Sequence, residues 1–166
     1  MTAPSGNAPN GKAYESVWDY PRPPRLESVD WRIRVVHAGI TLVDAQRALR
    51  VLETSQPPAY YVAKEFVDLE RFVASPSNTF CEWKGMASYV DVLAGEKPVI
   101  DGAWFYVEPT AAFGALIDHY AFYAQRLDEC YVDDERVASN EGTFYGGWIT
   151  ENVTGPFKGA PGTSHW

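Results

Sequence analysis

The chain has little cysteine, little basic charge and no long apolar run, and each shortage excludes a class of protein. Cys81 and Cys130 form no Cys-x-x-Cys pair, so neither a disulfide framework nor a thiolate zinc site is predicted. Fourteen Lys and Arg against 22 Asp and Glu give a net charge of −8, which argues against nucleic acid or membrane partners. Residues 1–20 contain no signal-like apolar stretch, and no run approaches the ~18 apolar residues that span a bilayer. We therefore expect a cytoplasmic protein.

The common catalytic motifs are also missing. The chain has no phosphate-binding Gly-x-x-x-x-Gly-Lys-Ser/Thr loop, no Gly-x-Gly-x-x-Gly, no Gly-x-Ser-x-Gly and no His-Glu-x-x-His. His119 stands alone in the second half of the chain before the tail, whereas a metal needs three or four ligands. We therefore expect neither a metal nor a cofactor.

Aromatic side chains are what the sequence has in abundance. Six Trp, ten Tyr and eight Phe make up 14% of the 166 residues, and flat side chains favour pleated sheets. From Trp31 onward apolar and polar residues alternate, which is the period of a strand with one buried face. The length suits one domain with one core. These features predict a mainly β, single compact domain of short antiparallel strands with one or two short helices.

The positions of Pro, Gly and Asn suggest where the segments of the chain begin and end. Residues 1–13 are small and polar, which predicts a flexible tail, and residues 14–166 would form the β-rich domain. The proline-rich stretch 14–25 predicts an extended strap rather than a helix. Further along, we predict a strand at 47–53, helical turns in 64–73, a hairpin over 79–93 that turns at Lys84-Gly85, and a short helix at 110–117.

Six segments in order resemble the family known as domain of unknown function 427. They are ESVWDYPRPPR at 15–25, RALRVLET at 47–54, FCEWKG at 80–85, AWFY at 103–106, FYGGW at 144–148 and GPFKG at 155–159. The resemblance spans roughly residues 14–160. It implies a β-rich fold similar to the Mss4-like complex-β architecture.

The family has also been labelled nucleotidyltransferase-like, and the residues give that label no support. Nucleotidyl transfer requires carboxylates that converge on magnesium, commonly two at i, i+2 on a strand after a glycine-rich helix start. Asp133 and Glu135 have this spacing but lie in the turn-like sequence VDDERV. The Gly146-Gly147 pair follows them rather than precedes them. We interpret VDDE as the tip of a hairpin.

The FCEWKG turn places a thiol, a carboxylate, an indole and an ammonium next to one another. Alternation along a strand would put Cys81 and Trp83 on one face and Glu82 with Lys84 on the other, so Cys81 and Lys84 need not meet. One interpretation is a buried, inert thiol beside a core tryptophan. The other is a catalytic site in which Cys81 is the nucleophile and Lys84 or His119 activates it.

Cations and aromatic residues recur in the same segments and suggest a binding pocket. The cations that could hold a phosphate or carboxylate are Arg22, Arg25, Lys84 and Lys158. The aromatic residues that could wall the pocket are Trp83, Trp104, Tyr106, Tyr145 and Trp148. The alternative is that these aromatic residues form the core and the cations pair with surplus carboxylates.

Three functions remain open at this point. The first is a domain that binds an anionic small molecule in the cationic, aromatic-walled pocket. The second is an enzyme that uses Cys81 as its nucleophile, with Lys84 and His119 as the other catalytic candidates. The third is a protein-interaction or homo-oligomerisation module with an exposed aromatic patch.

Overall fold

The computed structural model describes residues 2–166, and within them the chain forms fifteen short β-strands joined by loops and 3-10 turns. The strands are β1 Glu15–Ser16, β2 Arg25–Val29, β3 Ile33–His37, β4 Ile40–Ala45, β5 Ala48–Leu52, β6 Ala59–Ala63, β7 Phe72–Cys81, β8 Gly85–Val92, β9 Val99–Tyr106, β10 His119–Phe122, β11 Glu129–Val132, β12 Glu135–Arg136, β13 Ala138–Ser139, β14 Trp148–Ile149 and β15 Val153–Thr154. The predicted mainly β fold is confirmed.

Most of these strands belong to two antiparallel sheets. The main sheet has seven strands in the order β2-β5-β6-β10-β9-β8-β7, and a second sheet has four in the order β12-β11-β3-β4. Two small pairs complete the fold: β13 with β14, and β1 with β15, the latter parallel. The predicted strand at 47–53 and hairpin over 79–93 are present as β5 and as β7 with β8.

The main sheet packs against an apolar cluster on each of its two faces, and side chains alternate between these clusters along its strands. In β9, Ala103 and Phe105 face a first core, whereas Trp104 and Tyr106 face a second. The first core fills the space between the two large sheets with side chains such as Ile33. Each large apolar side chain fully buried there stabilises the fold by about 1.5–3 kcal/mol. The second core is mostly aromatic and forms the candidate site described below.

The helical turns predicted in 64–73 are present as 3-10 turns at Lys64–Phe66 and Leu69–Arg71. The short helix predicted at 110–117 is a 3-10 segment, Ala111–Leu116, with a non-helical kink at Phe113. Segments this short cannot stabilise an α-helix by themselves, so they tighten into i to i+3 turns. In residues 2–166 no helix is long and apolar enough to cross a membrane.

The stretch 14–25, predicted to be an extended strap, is docked on the domain. It contains β1 and a 3-10 turn at Val17–Asp19, and Val17 is fully buried beside Val153 of β15. The preceding segment also makes contacts: Lys12 Nζ lies 2.7 Å from Asp133, and Asn10 Nδ2 donates to Glu135 Oε1 at 2.8 Å. The flexibility of residues 1–13 in solution stays a prediction.

A buried arginine joins three strands at the edge of the main sheet. Arg50 of β5 is 3% exposed and pairs with Glu15 of β1 at 2.7 Å and with Glu27 of β2. Its guanidinium also lies 4.9 Å from the Trp31 ring. Burial alone lowers the pKa of Arg50, but the two carboxylates and the nearby Tyr60 outweigh it, so the net pKa lies above its ordinary value.

Candidate functional site

The aromatic face of the main sheet opens into a cavity of about 560 Å³, which we call the aromatic cavity. Its floor consists of side chains from β5, β6, β8 and β9, together with Tyr123, which follows β10. Its rim is formed by the turn between β7 and β8 and by residues 144–147. Pockets of roughly 300–1,000 Å³ are typical of small-molecule sites.

The floor of the aromatic cavity consists of phenols and one indole. Trp104 Nε1 donates a hydrogen bond to the Tyr61 hydroxyl at 3.1 Å, and the two rings meet edge to face with 6.1 Å between centroids. Burial raises the pKa of the Tyr61, Tyr106 and Tyr123 phenols above their ordinary value. These phenols are therefore neutral near pH 7, and each can donate a hydrogen bond.

A chain of hydroxyl groups crosses the cavity from one wall to the other. The Thr79 and Tyr89 hydroxyls lie 3.0 Å apart, and the Tyr89 and Tyr123 hydroxyls lie 3.5 Å apart. Tyr123 in turn donates to the backbone carbonyl of Phe144 at 3.0 Å. The floor is thus hydrogen-bonded to the loop that covers it.

The FCEWKG turn supplies the ammonium of the cavity. Cys81 ends β7, Gly85 begins β8 with φ +106°, and residues 82–84 form the turn between them. Thr110 fixes this turn, because its N–H donates to the Lys84 carbonyl at 3.0 Å and its hydroxyl to the Trp83 carbonyl. Strand alternation stops at Cys81, so the side chains of Cys81 and Lys84 line the same cavity instead of opposite faces.

Lys84 is half-buried, and its nitrogen lies 5.9 Å from the centre of the Tyr106 ring. Burial lowers the pKa of Lys84, but electrostatic interactions with Tyr61, Cys81 and Glu53 outweigh it, and the net pKa lies above the ordinary value. The side chain is therefore an ammonium at neutral pH. It can hold an anion but cannot act as a free amine nucleophile.

The loop of residues 140–147, which we call the cover loop, joins β13 to β14 and closes the cavity. Its backbone carbonyls accept hydrogen bonds from the sheet side: Gln125 Nε2 donates to Tyr145 at 2.9 Å, and Arg126 donates to Thr143 at 2.6 Å. Lys158 places a second ammonium here, 5.1 Å from the centre of the Tyr145 ring. Tyr145 and Lys158, both predicted pocket residues, line the cavity with Lys84.

The two glycines of FYGGW are explained by close packing. A Cβ on Gly146 would lie 2.4 Å from the Trp104 ring, and one on Gly147 would lie 2.2 Å from the Pro57 carbonyl oxygen. Neither distance is tolerated by real side chains, so only glycine lets the cover loop approach the floor.

The two predicted arginines lie outside the cavity. Arg22 is exposed and reaches Glu53, with 3.6 Å between Arg22 Nε and Glu53 Oε2, and it donates to the Thr54 carbonyl at 2.9 Å. Arg25 is exposed at the start of β2, where its partner across the sheet is Leu52. Arg22 thus contacts the cavity lining through its ion pair with Glu53, and Arg25 does not line the cavity.

Two further candidates are placed elsewhere by the structure. Trp148 is 1% exposed in the first core, where it stacks on Tyr60 and donates to the Phe122 carbonyl at 2.9 Å. His119 begins β10, and its Nδ1 lies 2.8 Å from the Ile117 carbonyl oxygen, away from the cavity lining. Trp148 is therefore structural, and His119 cannot activate Cys81 in this conformation.

Sequence reasoning missed two acidic residues of the site. Glu53 and Glu82 both line the cavity, so its polar groups are mixed rather than only cationic. Glu53 directly follows β5, and Glu82 lies in the FCEWKG turn. Within the described residues 2–166, no group of three or more His, Cys, Asp or Glu is arranged to hold a metal ion.

The fold and the site define a small antiparallel β protein with a preformed, aromatic, ligand-sized cavity. Residues 25–133 match the sequence profile of the family described as domain of unknown function (DUF427). The match covers well over half of the chain, so the protein belongs to this family. No curated protein matches the chain.

Proposed function

We propose that this protein binds an anionic small molecule, one that bears a phosphate or carboxylate, in the aromatic cavity. The observation that carries the proposal is the state of Lys84. Among residues 2–166, no carboxylate oxygen lies within 4.0 Å of Lys84 Nζ, whereas Lys158 Nζ donates to the Trp166 backbone oxygen at 3.3 Å. A half-buried ammonium without an ion pair favours an anion from outside the chain.

The surroundings of Lys84 support the same proposal. The hydroxyl of Tyr123 already donates to Phe144, but the neutral Tyr61 and Tyr106 phenols provide hydrogen-bonding capacity on the floor, and an anion accepts such bonds. Trp83 and Trp104 offer apolar surfaces on which a ring can stack. The alternative interpretation, in which the cations already have partners within the chain, describes Arg22 and Lys158 better than it describes Lys84.

The test is a thermal-shift and calorimetric screen of inorganic phosphate, sugar phosphates, nucleoside monophosphates and organic acids. A compound that binds the folded state raises the melting temperature. Loss of one charge-assisted hydrogen bond should make Lys84→Met bind that compound at least about tenfold more weakly. Lys97→Met is the matched control, because Lys97 is exposed in the loop between β8 and β9 and does not line the cavity.

Two results would contradict the proposal. One is a screen in which no compound raises the melting temperature of the wild type. The other is a compound that binds Lys84→Met as tightly as it binds the wild type and Lys97→Met. In both cases the cavity would not be an anion site centred on Lys84.

A second candidate function is an enzyme with Cys81 as nucleophile. The observation that favours it is that Cys81 lines the cavity beside Lys84 rather than on the opposite face. A reactive thiol here should be alkylated much faster in the folded protein than in the unfolded chain, and Lys84→Met should abolish the difference. Equal alkylation rates in both states would exclude this function.

Three finer expectations remain proposals. The Mss4-like complex-β architecture, implied by the family resemblance, is compatible with the two antiparallel sheets. Homo-oligomerisation would involve exposed apolar side chains such as Phe80 and Met86, which pair across β7 and β8. Sedimentation would test oligomerisation directly. The cytoplasmic location also stays a prediction.

A further inference from the structure

Glu53 is a largely buried carboxylate whose hydrogen-bonding capacity is unused. Its side chain is 15% exposed and lines the aromatic cavity. Arg22 Nε is 3.6 Å away, which is an ion-pair distance but longer than a hydrogen bond. In the part of the chain that the structure describes, residues 2–166, no N–H or O–H group donates a hydrogen bond to the Glu53 carboxylate.

An ionised carboxylate can accept about four hydrogen bonds, and a buried one that accepts none is costly. A ligand that fills the cavity would displace the solvent that reaches the Glu53 oxygens, and its own groups would then have to supply the donors. Two kinds of ligand group could provide them, a hydroxyl or an ammonium. Lys84 and Arg22 already surround Glu53 with positive charge, and this charge would repel a ligand ammonium. Neutral hydroxyl groups fit the site better.

We propose that Glu53 accepts hydrogen bonds from hydroxyl groups of the ligand, so that the cavity selects hydroxylated anions such as sugar phosphates and sugar acids. This inference rests on the proposed function, in which Lys84 holds the anionic group. Glu53 then accepts hydrogen bonds from the part of the ligand next to the anionic group. The apolar face of a sugar ring would stack on an aromatic wall such as Trp83. Glu53 is thus the residue that determines specificity.

The experiment compares ligands that differ only in their hydroxyl groups. Glucose 6-phosphate is paired with cyclohexylmethyl phosphate, and glucuronate with cyclohexanecarboxylate, and dissociation constants are measured by calorimetry. Hydrogen bonds to a buried charge should make the wild type prefer the hydroxylated member of at least one pair by about tenfold or more. In Glu53→Gln, which keeps the size but loses the charge, the preference should fall to about threefold or less.

Glu96→Gln is the matched control, since Glu96 is exposed in the loop between β8 and β9 and does not line the cavity. It should keep the preference of the wild type. If both members of a pair bind the wild type equally, the anion site stands and the role of Glu53 is refuted. If no anion of either pair binds, the proposed function fails together with this inference. If Glu53→Gln does not fold, the ratio measured on the wild type still decides.

Discussion

Gly146→Ala tests whether close packing against Trp104 holds the cover loop shut. The new methyl carbon would lie 2.4 Å from Trp104 Cη2 and 2.7 Å from Cζ3, and both contacts would have to lengthen to at least 3.4 Å. The Trp104 ring cannot yield easily, because it is hydrogen-bonded to Tyr61 and packs 4.6 Å from the Tyr123 ring. We therefore expect the loop to move.

Movement of the loop breaks the two hydrogen bonds just before Gly146, at the carbonyls of Phe144 and Tyr145. At about 1 kcal/mol for each bond, the free energy of unfolding should fall by about 2 kcal/mol, within the range of about 1–3 kcal/mol for an overpacked site. Amide hydrogen exchange in residues 141–147 should accelerate about tenfold or more, since local opening becomes easier by a similar amount.

The assay combines urea unfolding with hydrogen exchange read by mass spectrometry. Gly114→Ala is the matched control, because a Cβ at Gly114 meets no atom within 4 Å and its φ is not positive. This control should lose no stability. If Gly146→Ala matches Gly114→Ala in both stability and exchange, the packing on Trp104 does not hold the loop, and the reasoning is refuted.

Three further predictions concern charge and titration. Arg50→Met should lower the free energy of unfolding by about 3 kcal/mol, which is the lower end of the range for a broken buried ion pair, because the Glu15 and Glu27 carboxylates are partly exposed. A loss below about 1 kcal/mol in urea unfolding would contradict this prediction. The buried cavity phenols have raised pKa values, so the stability that they contribute is complete below about pH 10, the unfolded value, and is lost as the pH rises further. Ultraviolet titration should show them ionising only together with unfolding. Finally, burial raises the pKa of Cys130 to about 12, so iodoacetamide should label Cys81 but not Cys130 in the folded protein, and labelling at equal rates would disagree with the structure.

The sequence was a good guide where the information is local. The β7–β8 hairpin follows from alternating residues on either side of a Lys84-Gly85 turn, and φ is indeed positive at Gly85. The grouping of Lys84 with Trp104 and Lys158 in one cavity was also anticipated. Lys84 and Lys158 lie in short segments where aromatic, cationic and glycine residues occur together, and Trp104 lies in a run of aromatic residues that follows a glycine.

The sequence could not separate residues whose surroundings depend on distant strands. Trp104 and Trp148 look alike locally, but Trp104 faces the cavity because β9 pairs with β8 and β10, whereas Trp148 faces the first core. Glu53 looks like any of the 22 acidic residues until β5 and the docked strap bring Arg22 beside it. The parallel pairing of β1 with β15 joins segments that lie far apart along the chain.

Because both faces of the main sheet pack against other side chains, the fold tolerates a change in the length of its strands as poorly as a change in their composition. Along β9 every second side chain points into the first core, and the intervening side chains point toward the aromatic cavity. A single residue inserted into this strand would exchange its two faces, so that Trp104 and Tyr106 would point into the first core and Ala103 into the cavity. Point substitutions at the cavity can therefore tune the site one contact at a time, whereas insertions or deletions inside these strands would damage stability and binding together.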